Sequence, residues 1–299
     1  MSIIHDIRTA FSRRDNALNQ LLLINVLVFA VLVVLGAILH LSSGDALYAR
    51  LVRLVEIPSD LPSLAWRPWT IITYAFAHVG FLHILFNMLN LYWFGSLVRE
   101  YLGDRKLVSI YILGALAGAL LFLLSFNLVP VLREQLGIPM LGASAAVTAI
   151  IVAAATLLPD YTFNLILLGP VRIKYIAAVV VLISLAGINS NNPGGEIAHI
   201  GGAILGYLYI KQLQRGRDLG RPVQAVGDWL GSLLSGRPRL RVTHRNRAEE
   251  AATVVATKKA GPRKPEQDEI DIILDKISRS GYESLSKDEK QKLFRASQK

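Results

Sequence analysis

A serine and a histidine that lie far apart in the sequence could together cleave an acyl bond. Ser144 lies in the small-residue stretch Leu-Gly-Ala-Ser-Ala-Ala-Val at 141–147, and His199 lies in Ala-His-Ile-Gly-Gly at 198–202. A serine hydroxyl becomes a nucleophile only when an adjacent base takes its proton, and histidine is the commonest base. The two residues therefore predict nucleophilic catalysis, provided that the fold brings them together.

Two more polar residues, His83 and Asn87, could stabilise the charge that develops on an attacked carbonyl oxygen. They lie in Leu-His-Ile-Leu-Phe-Asn, and residues at this i, i+4 spacing share one face of a helix. Side-chain donors on one face, together with backbone N–H groups at the start of the Ser144 helix, are what an oxyanion hole requires. Each residue alone has a simpler explanation, such as a serine bonded to its own backbone or an asparagine that joins two helices.

The composition indicates a membrane protein. Of the 299 residues, 53% are hydrophobic and 18% are charged, with a mean hydropathy of +0.43. The apolar residues form runs of about 20, whereas a buried strand of a soluble protein needs only about 4–8. The chain has no cysteine, which excludes disulfides, thiolate catalysis and cysteine-based metal sites. The net charge of +10 lies mostly beside the apolar runs and in the tail, so membrane topology explains it better than nucleic-acid binding.

We expect an all-α fold, a polytopic bundle of six transmembrane helices followed by a small helical hairpin. The spans are predicted at about 20–41, 81–98, 107–126, 142–158, 171–188 and 196–213. The predicted parts of the chain are an N-terminal segment at 1–19, a six-helix domain at 20–215, a flexible basic linker at 216–267 and the hairpin at 268–299. The hairpin is too small to be an enzyme, and we interpret it as a docking element with an unknown partner.

Local signals support two of the parts that lie outside the spans. In the hairpin, Gly281 could end the first helix, and 286–289 form a capping box that opens the second. The connection at 42–77 contains Trp66-Arg67, and tryptophan beside arginine suits the lipid–water interface. Because a long loop of this apolar content is poorly suited to water, we expect it to be ordered and to lie in that interface.

The distribution of basic residues predicts the orientation of the spans. One side carries Arg8, Arg13, Arg14, Arg99, Arg105, Lys106, Arg172, Lys174, Lys211, Arg215, Arg217 and Arg221. The other side carries only Arg50, Arg53, Arg67 and Arg133. By the positive-inside rule both termini are cytoplasmic, which an even number of spans permits.

This orientation places the four polar residues at one depth. The second, fourth and sixth spans all run inward from the outer face, and His83, Asn87, Ser144 and His199 fall within roughly the first two turns of these spans. Polar residues in spans are costly and tend to mark function, so four at one level favour a site over four separate explanations.

Small residues would let the helices that carry this site approach closely. Gly142, Ala143 and Ala145 surround Ser144, and Gly202 and Gly206 follow His199. No acid is well placed to orient His199, because Glu196 is expected to be a solvated residue at the helix start. The residues therefore predict a Ser–His dyad.

Taken together, these motifs resemble the rhomboid family of intramembrane serine proteases. The resemblance covers Trp66-Arg67, 78–87, Gly142-Ala-Ser144, and Ala198-His199-x-Gly-Gly with Gly202-x-x-x-Gly206. It implies that Ser144 is the nucleophile, that His199 is the general base, and that His83, Asn87 and the Ser144 amide form the oxyanion hole. The Trp66-Arg67 loop would be a lateral structural element lying in the interface.

The resemblance also implies the partners and the setting of the protein. Substrates would be membrane proteins whose transmembrane helix enters from the bilayer and unwinds near its outer end, and no metal or cofactor is required. The C-terminal extension is similar to that of some bacterial members, which favours a bacterial cytoplasmic (inner) membrane.

Two positions depart from the family pattern. Ala145 stands where many members have glycine, which still allows close packing, and Thr148 stands where the family often places an aromatic ring against the histidine. The second departure leaves open what orients His199. His78 resembles a family histidine, and we interpret it as structural.

Two other functions fit parts of the pattern. An inactive rhomboid-like protein would bind membrane clients without cutting them, but such proteins typically lack the serine or the histidine. A transporter could line a path with His83, Asn87 and His199, but it would more naturally show carboxylates within its spans or inverted repeats. Aspartyl and zinc intramembrane proteases are disfavoured, because the spans contain neither an Asp pair nor His-Glu-x-x-His.

Overall fold

The computed structural model describes residues 16–165, 169–189, 192–235 and 265–297. The long helices of the first region are α1 (Ala17–Leu41), α5 (Phe81–Leu102), α6 (Asp104–Leu128), α8 (Ser144–Leu157), α9 (Ile173–Gly187), α10 (Pro193–Gln214) and α11 (Arg221–Ser235). The short helices between them are α2 (Asp45–Val52), α3 (Leu61–Trp66), α4 (Thr70–Thr73) and α7 (Pro130–Arg133), with a 3-10 turn at Tyr74–Phe76.

Each of the six predicted spans corresponds to one long helix, α1, α5, α6, α8, α9 or α10. Within the described part of the chain, α1, α5 and α6 are long and apolar enough to cross a membrane, and α8 and α9 are shorter apolar helices. Turn residues explain why two boundaries differ from the prediction. Gly142 has φ +130°, which a helix cannot continue, so α8 starts at Ser144. Asn192 accepts a hydrogen bond from the Gly195 amide at 3.1 Å, so α10 starts earlier than predicted, at Pro193.

The central helix is α8, which packs against α5, α6, α9 and α10. Most of its residues are buried, and its sequence is apolar on every side. A helix with no polar face belongs in the interior of a bundle, where all of its sides meet other helices. Ser144, at the N-terminus of α8, is therefore held by the most enclosed element of the fold.

The connection between α1 and α5 is ordered, as the sequence predicts. Trp69 Nε1 donates a hydrogen bond to the Leu54 carbonyl at 2.8 Å, and Thr73 Oγ1 donates to the Val55 carbonyl at 3.1 Å. Ile57 forms an antiparallel bridge with Met140, just before α8. The connection therefore braces the segment that leads into the Ser144 helix.

A two-stranded β-hairpin is one departure from the predicted all-α fold. Strand β1 (Thr162–Leu165) pairs antiparallel with β2 (Gly169–Arg172) in the connection from α8 to α9. Asp160, ahead of β1, forms ion pairs with Arg172 at 3.2 Å and with Lys174 at 2.8 Å. The Lys174 ammonium, with help from Arg172, holds the pKa of Asp160 below its usual value.

The predicted flexible linker at 216–267 begins with structure, which corrects that part of the prediction. Helix α11 follows α10 after a short turn, and its Asp228 forms an ion pair with Arg105 of α6 at 3.1 Å. In the turn, Asp218 is paired with Lys106 and accepts a hydrogen bond from the Gly220 amide at 2.8 Å. Burial raises the pKa of Asp218, but the Lys106 and Gly220 hydrogen bonds outweigh it and hold that pKa below its usual value. Residues 236–264 of the predicted linker lie outside the described residues, as do 1–15 of the predicted N-terminal segment.

Residues 265–297 form a separate unit, and here the predicted hairpin is confirmed. Helix α12 (Pro265–Ser280) ends before Gly281, which has φ +76°, and a 3-10 turn leads to α13 (Lys287–Ser297). The predicted capping box is present, because the Ser286 amide donates to Glu289 at 2.7 Å and the Glu289 amide donates to Ser286 Oγ at 3.3 Å. Lys276 of α12 pairs with Glu289 at 2.9 Å, and these contacts lower the pKa of Glu289 to about 2.

Candidate active site

The segment before Ser144 is fixed by hydrogen bonds to the α1–α5 connection. The Gly142 amide donates to the Tyr74 carbonyl at 2.8 Å, and the Ala143 amide donates to His78 Nε2 at 3.3 Å. His78 is fully buried, and its hydrogen bond with the Ala143 amide holds this backbone segment in place. This contact gives a physical meaning to the structural role that the sequence analysis expects for His78. The first backbone hydrogen bond of α8 joins the Val147 amide to the Ala143 carbonyl, so the Ser144 amide lies ahead of the helical ladder. A backbone donor is thus presented beside the Ser144 hydroxyl.

Helices α8 and α10 run parallel at the closest approach that their backbones allow. A Cβ atom on Gly202 would lie 2.1 Å from the Ala145 carbonyl oxygen, and one on Gly206 would lie 2.2 Å from the Ala149 carbonyl oxygen. From the Gly202–Ala145 contact to the Gly206–Ala149 contact, the chain moves forward by about one turn on both helices. The two helices therefore run in the same direction. Ser144 directly precedes Ala145, and His199 lies one turn before Gly202, so both residues belong to the N-terminal end of this contact.

Helix α6 closes a third side of the same contact. A Cβ on Gly118 would lie 2.5 Å from the Ala145 Cβ and 3.0 Å from the Ala198 carbonyl, and one on Gly114 would lie 2.5 Å from the Ala149 Cβ. Glycines on α6 and α10 therefore leave room for the small side chains of α8.

His83 and Asn87 approach from α5. The His83 ring lies against Gly142, since a Cβ there would be 2.6 Å from His83 Cε1, and its edge meets the His78 ring at a centroid distance of 5.0 Å. Asn87 is 6% exposed and donates one amide hydrogen to the His83 carbonyl at 2.8 Å, which leaves its second hydrogen for another acceptor.

His199 has two polar neighbours that the sequence analysis did not assign to the site. Its Nδ1 lies 3.1 Å from Glu196 Oε2 and 3.0 Å from the hydroxyl of Ser184 on α9. The prediction that Glu196 is merely solvated was wrong, because its side chain is only 20% exposed and faces the histidine. Glu196 also packs into a gap at Gly187, where a Cβ would lie 2.8 Å from its Cδ. The aromatic ring that the family often places beside the histidine is replaced by Thr148, whose hydroxyl donates to the Ser144 carbonyl at 2.8 Å.

The candidate residues differ in their exposure. Ser144 and His199 are partly buried, and His83 is exposed. In the described residues, no three His, Asp or Glu side chains are grouped so that they could hold a metal ion.

Trp66 and Arg67 lie in the connection before α5 rather than among these side chains. Trp66 is 83% exposed, and Arg67 donates to the Arg53 carbonyl. Arg67 therefore braces the connection, whereas the indole ring of Trp66 is largely exposed.

Comparison with known proteins identifies the family of the chain. The family model described as rhomboid domain matches residues 65–215, and a second model, a family of unknown function (DUF6576), matches residues 261–299. The rhomboid family consists generally of intramembrane serine proteases.

Similar proteins come from organelles and from bacteria. Rhomboid-like protein 16, chloroplastic, of Arabidopsis thaliana is 32% identical over 162 residues, which are 50% of each chain. Rhomboid protein 1, mitochondrial, of Saccharomyces cerevisiae is 30% identical over 172 residues, 54% of this chain and 46% of the relative. Rhomboid protease GlpG of Klebsiella pneumoniae is 40% identical over 55 residues, 18% of this chain and 20% of the relative.

This chain therefore spans about half the length of the two longer matches. The rhomboid domain model, however, covers half of the chain, residues 65–215, and this range includes Trp66 and His199. The resemblance that the sequence motifs predict is thus confirmed, and the chain is a multi-pass integral membrane protein that belongs to the rhomboid family.

Proposed function

We propose that this protein is an intramembrane serine endopeptidase in which Ser144 is the nucleophile and His199 is the general base. The observation that supports the proposal is the parallel contact of α8 and α10 at Gly202 and Ala145, because Ser144 directly precedes Ala145 and His199 lies one turn before Gly202. Nucleophilic catalysis by a serine needs an adjacent base that takes the hydroxyl proton, and His199 is the candidate for that base.

The proposed reaction follows the general scheme of serine hydrolases. His199 takes the proton of Ser144 as the hydroxyl oxygen attacks the scissile carbonyl carbon, and it then gives the proton to the leaving amine. Water hydrolyses the resulting acyl-enzyme with His199 again acting as the base. The charge on the carbonyl oxygen would be stabilised by the Ser144 amide, by the free hydrogen of Asn87 and by His83, which are donors from two helices.

The length of α8 suggests where the site lies in the membrane. Its 14 residues span about 21 Å, whereas the hydrocarbon core of a bilayer is about 30 Å thick. If the C-terminal end of α8 is near the inner surface, Ser144 lies several ångströms below the outer one. A transmembrane helix has its carbonyls hydrogen-bonded, so it must unwind locally before attack, and we propose that substrates are membrane proteins with such a weak point near the outer face.

We further propose a six-span topology with both termini in the cytoplasm, because the basic residues favour one side. The described residues on that side include Arg99, Arg105, Lys106, Lys211, Arg215, Arg217 and Arg221. On this proposal the protein belongs to a bacterial inner membrane, residues 20–215 form the protease domain and the hairpin at 265–297 docks an unidentified partner.

Reconstitution in liposomes tests the proposed function. We expect the purified protein to cut a single-span substrate that carries glycine or proline in the outer third of its helix. The same substrate with leucine at those positions should be cut more slowly. Mass spectrometry of the fragments locates the cut, and a cut outside the membrane segment, or equal cleavage of both substrates, would contradict the proposal.

Replacing Asn87 by alanine should lower kcat by roughly 10²-fold, the typical loss when one oxyanion donor is removed. The reason is that its second amide hydrogen is the only uncommitted donor of that side chain. Asn90→Ala is a matched control, because Asn90 lies on the same helix and donates in the same way to the Phe86 carbonyl at 2.8 Å, but at an exposed position. Equal turnover of the two variants would make Asn87 a structural residue.

A further inference from the structure

We propose that Glu196 and Ser184 are positioning residues that set the protonation and orientation of His199, so that the site works with a buried acid behind its base. This inference rests on the proposed function. The geometry points to it because both side chains contact the same ring nitrogen, Nδ1, at 3.1 Å and 3.0 Å.

The carboxylate selects one tautomer of the ring. A carboxylate oxygen only accepts hydrogen bonds, so its contact with Nδ1 is favourable when Nδ1 carries the hydrogen. Ser184 Oγ is a second acceptor for that same hydrogen. In the neutral ring this leaves Nε2 as the bare nitrogen, which is the form that can take a proton from Ser144.

The surroundings show that the Glu196 side chain is held in place. Gly187 on α9 provides its space, since a Cβ there would lie 2.8 Å from Cδ and 2.9 Å from Cγ of Glu196. Ser184, one turn earlier on α9, is 3% exposed. Helix α9 thus contacts the Glu196 side chain at Gly187 and the His199 ring through Ser184. It supplies an orientation that Thr148, bonded to the Ser144 carbonyl, does not.

The charge of Glu196 has a predictable effect on pH dependence. Among the described residues, the titratable side chain in hydrogen-bond contact with His199 is Glu196 on the same helix, and the hydroxyl of Ser184 on α9 contacts the same ring nitrogen. A carboxylate beside an imidazole favours the protonated ring. Removal of the carboxylate should therefore let His199 act as a base at lower pH.

Three variants separate the charge of Glu196 from its contact. Glu196→Gln keeps an acceptor oxygen but removes the charge, so we expect a small loss of kcat and an acid limb of the pH–rate profile that moves to lower pH. Glu196→Leu removes both, and we expect kcat to fall on the order of 10²-fold with little change in KM, within the range that a general base contributes. Ser184→Ala should lower kcat less than Glu196→Leu does.

Glu134→Gln is the matched control, because it removes one carboxylate from an exposed position. If Glu196→Gln and Glu196→Leu both kept the wild-type kcat and the wild-type acid limb of the pH–rate profile, this inference would be overturned. Ser144-dependent cleavage would then still support the proposed function. Absence of Ser144-dependent cleavage in the wild type would instead overturn the proposed function and this inference with it. If Glu196→Leu fails to fold, the Glu196→Gln and Ser184→Ala variants test the inference by the same two measurements, kcat and the pH–rate profile.

A second inference concerns α11 and rests on different residues. We infer that α11 lies along the cytoplasmic leaflet, with its apolar face in lipid. That face consists of Val226, Trp229, Leu230 and Leu233, at the i, i+3, i+4 and i+7 positions of one stripe. All four are exposed, from 46% for Leu230 to 62% for Leu233.

The opposite face of α11 is the one that contacts the protein. Gln224 Nε2 lies 3.4 Å from the Ser109 hydroxyl, and Asp228 pairs with Arg105, both at the start of the membrane-capable helix α6. In water an amphipathic helix would pack its apolar face inward, so this reversed arrangement suits a medium that is itself apolar. Tryptophan in the stripe and basic residues nearby, such as Lys106 and Arg221, fit the headgroup level of an anionic leaflet.

The absence of cysteine makes the test direct, because single-cysteine variants need no prior replacement. In liposomes we expect Val226→Cys and Leu233→Cys to react several-fold more slowly with a water-soluble maleimide than Gly231→Cys. A Cβ at Gly231 meets nothing within 4 Å, so that control is sterically free. Nitroxides at the two apolar positions should be relaxed by oxygen and shielded from a water-soluble nickel chelate.

Two results would overturn the inference about α11. Equal maleimide rates at all three positions would place the stripe in water. Slow labelling combined with nitroxide–nitroxide broadening and no oxygen effect would mean that a second copy of the chain, rather than lipid, covers the stripe.

Discussion

Ser144→Ala and His199→Ala are each expected to abolish cleavage of a transmembrane substrate, to a rate indistinguishable from that without enzyme. The physical reason is that each change removes one partner of a reaction that needs both, so the losses are not additive and the double variant should be no worse than either single one. Cleavage is followed by fragment formation in liposomes, and circular dichroism and thermal unfolding check that the variants fold.

Two controls match these changes without touching the proposed site. Ser125→Ala removes a hydroxyl that bonds to the Leu121 carbonyl on α6, and His40→Ala removes an exposed imidazole that pairs with Asp45. Both should cleave at the wild-type rate. If Ser144→Ala retained wild-type activity, the nucleophile would have to be sought elsewhere and the inactive rhomboid-like alternative would gain weight.

Gly202→Ala should disturb the contact of α8 and α10, because among the glycines of the described residues a Cβ at Gly202 would come closest to another atom. Its Cβ would lie 2.1 Å from the Ala145 backbone oxygen, and neither backbone can yield without separating α8 from α10. Overpacking of this kind costs about 1–3 kcal/mol of unfolding free energy. A displacement of about 1 Å between reacting groups can cost on the order of 10²-fold in rate, so we expect activity to fall further than stability.

Gly227→Ala provides the comparison for that prediction. Gly227 is also a helical glycine, but a Cβ there meets nothing within 4 Å, so alanine should be neutral or stabilising by up to about 1 kcal/mol. Thermal unfolding in detergent and kcat are measured for both variants. A Gly202→Ala protein with unchanged kcat would show that the close contact of α8 and α10 does not set the catalytic geometry.

The sequence predicts much of this structure because only long apolar helices can cross a bilayer in a protein of this kind. Spans can be recognised from apolar runs, and close helix contacts can be anticipated from glycine spacing, as with Gly114 and Gly118 on α6 or Gly202 and Gly206 on α10. The start of α8 at Ser144 differs from the predicted start, because the positive φ of Gly142 cannot be read from the sequence.

What the sequence could not show depends on contacts between distant residues. Glu196 looks like an ordinary acidic residue in a first helical turn, and nothing local reveals that Gly187 and Ser184 of α9 enclose it against His199. Helix α11 was missed as structure because its surroundings are basic and rich in glycine and proline. Its anchor is a pairing of Asp228 with Arg105 of α6, far away in the chain.

The most direct test of the central claim is to map where a fluorophosphonate reacts with the full-length protein in liposomes. We expect one adduct, on the peptide that contains Ser144, and we expect it to be lost in both Ser144→Ala and His199→Ala. An adduct on another serine, or labelling of Ser144 that persists at the wild-type rate without His199, would contradict the assignment of Ser144 and His199 as nucleophile and base.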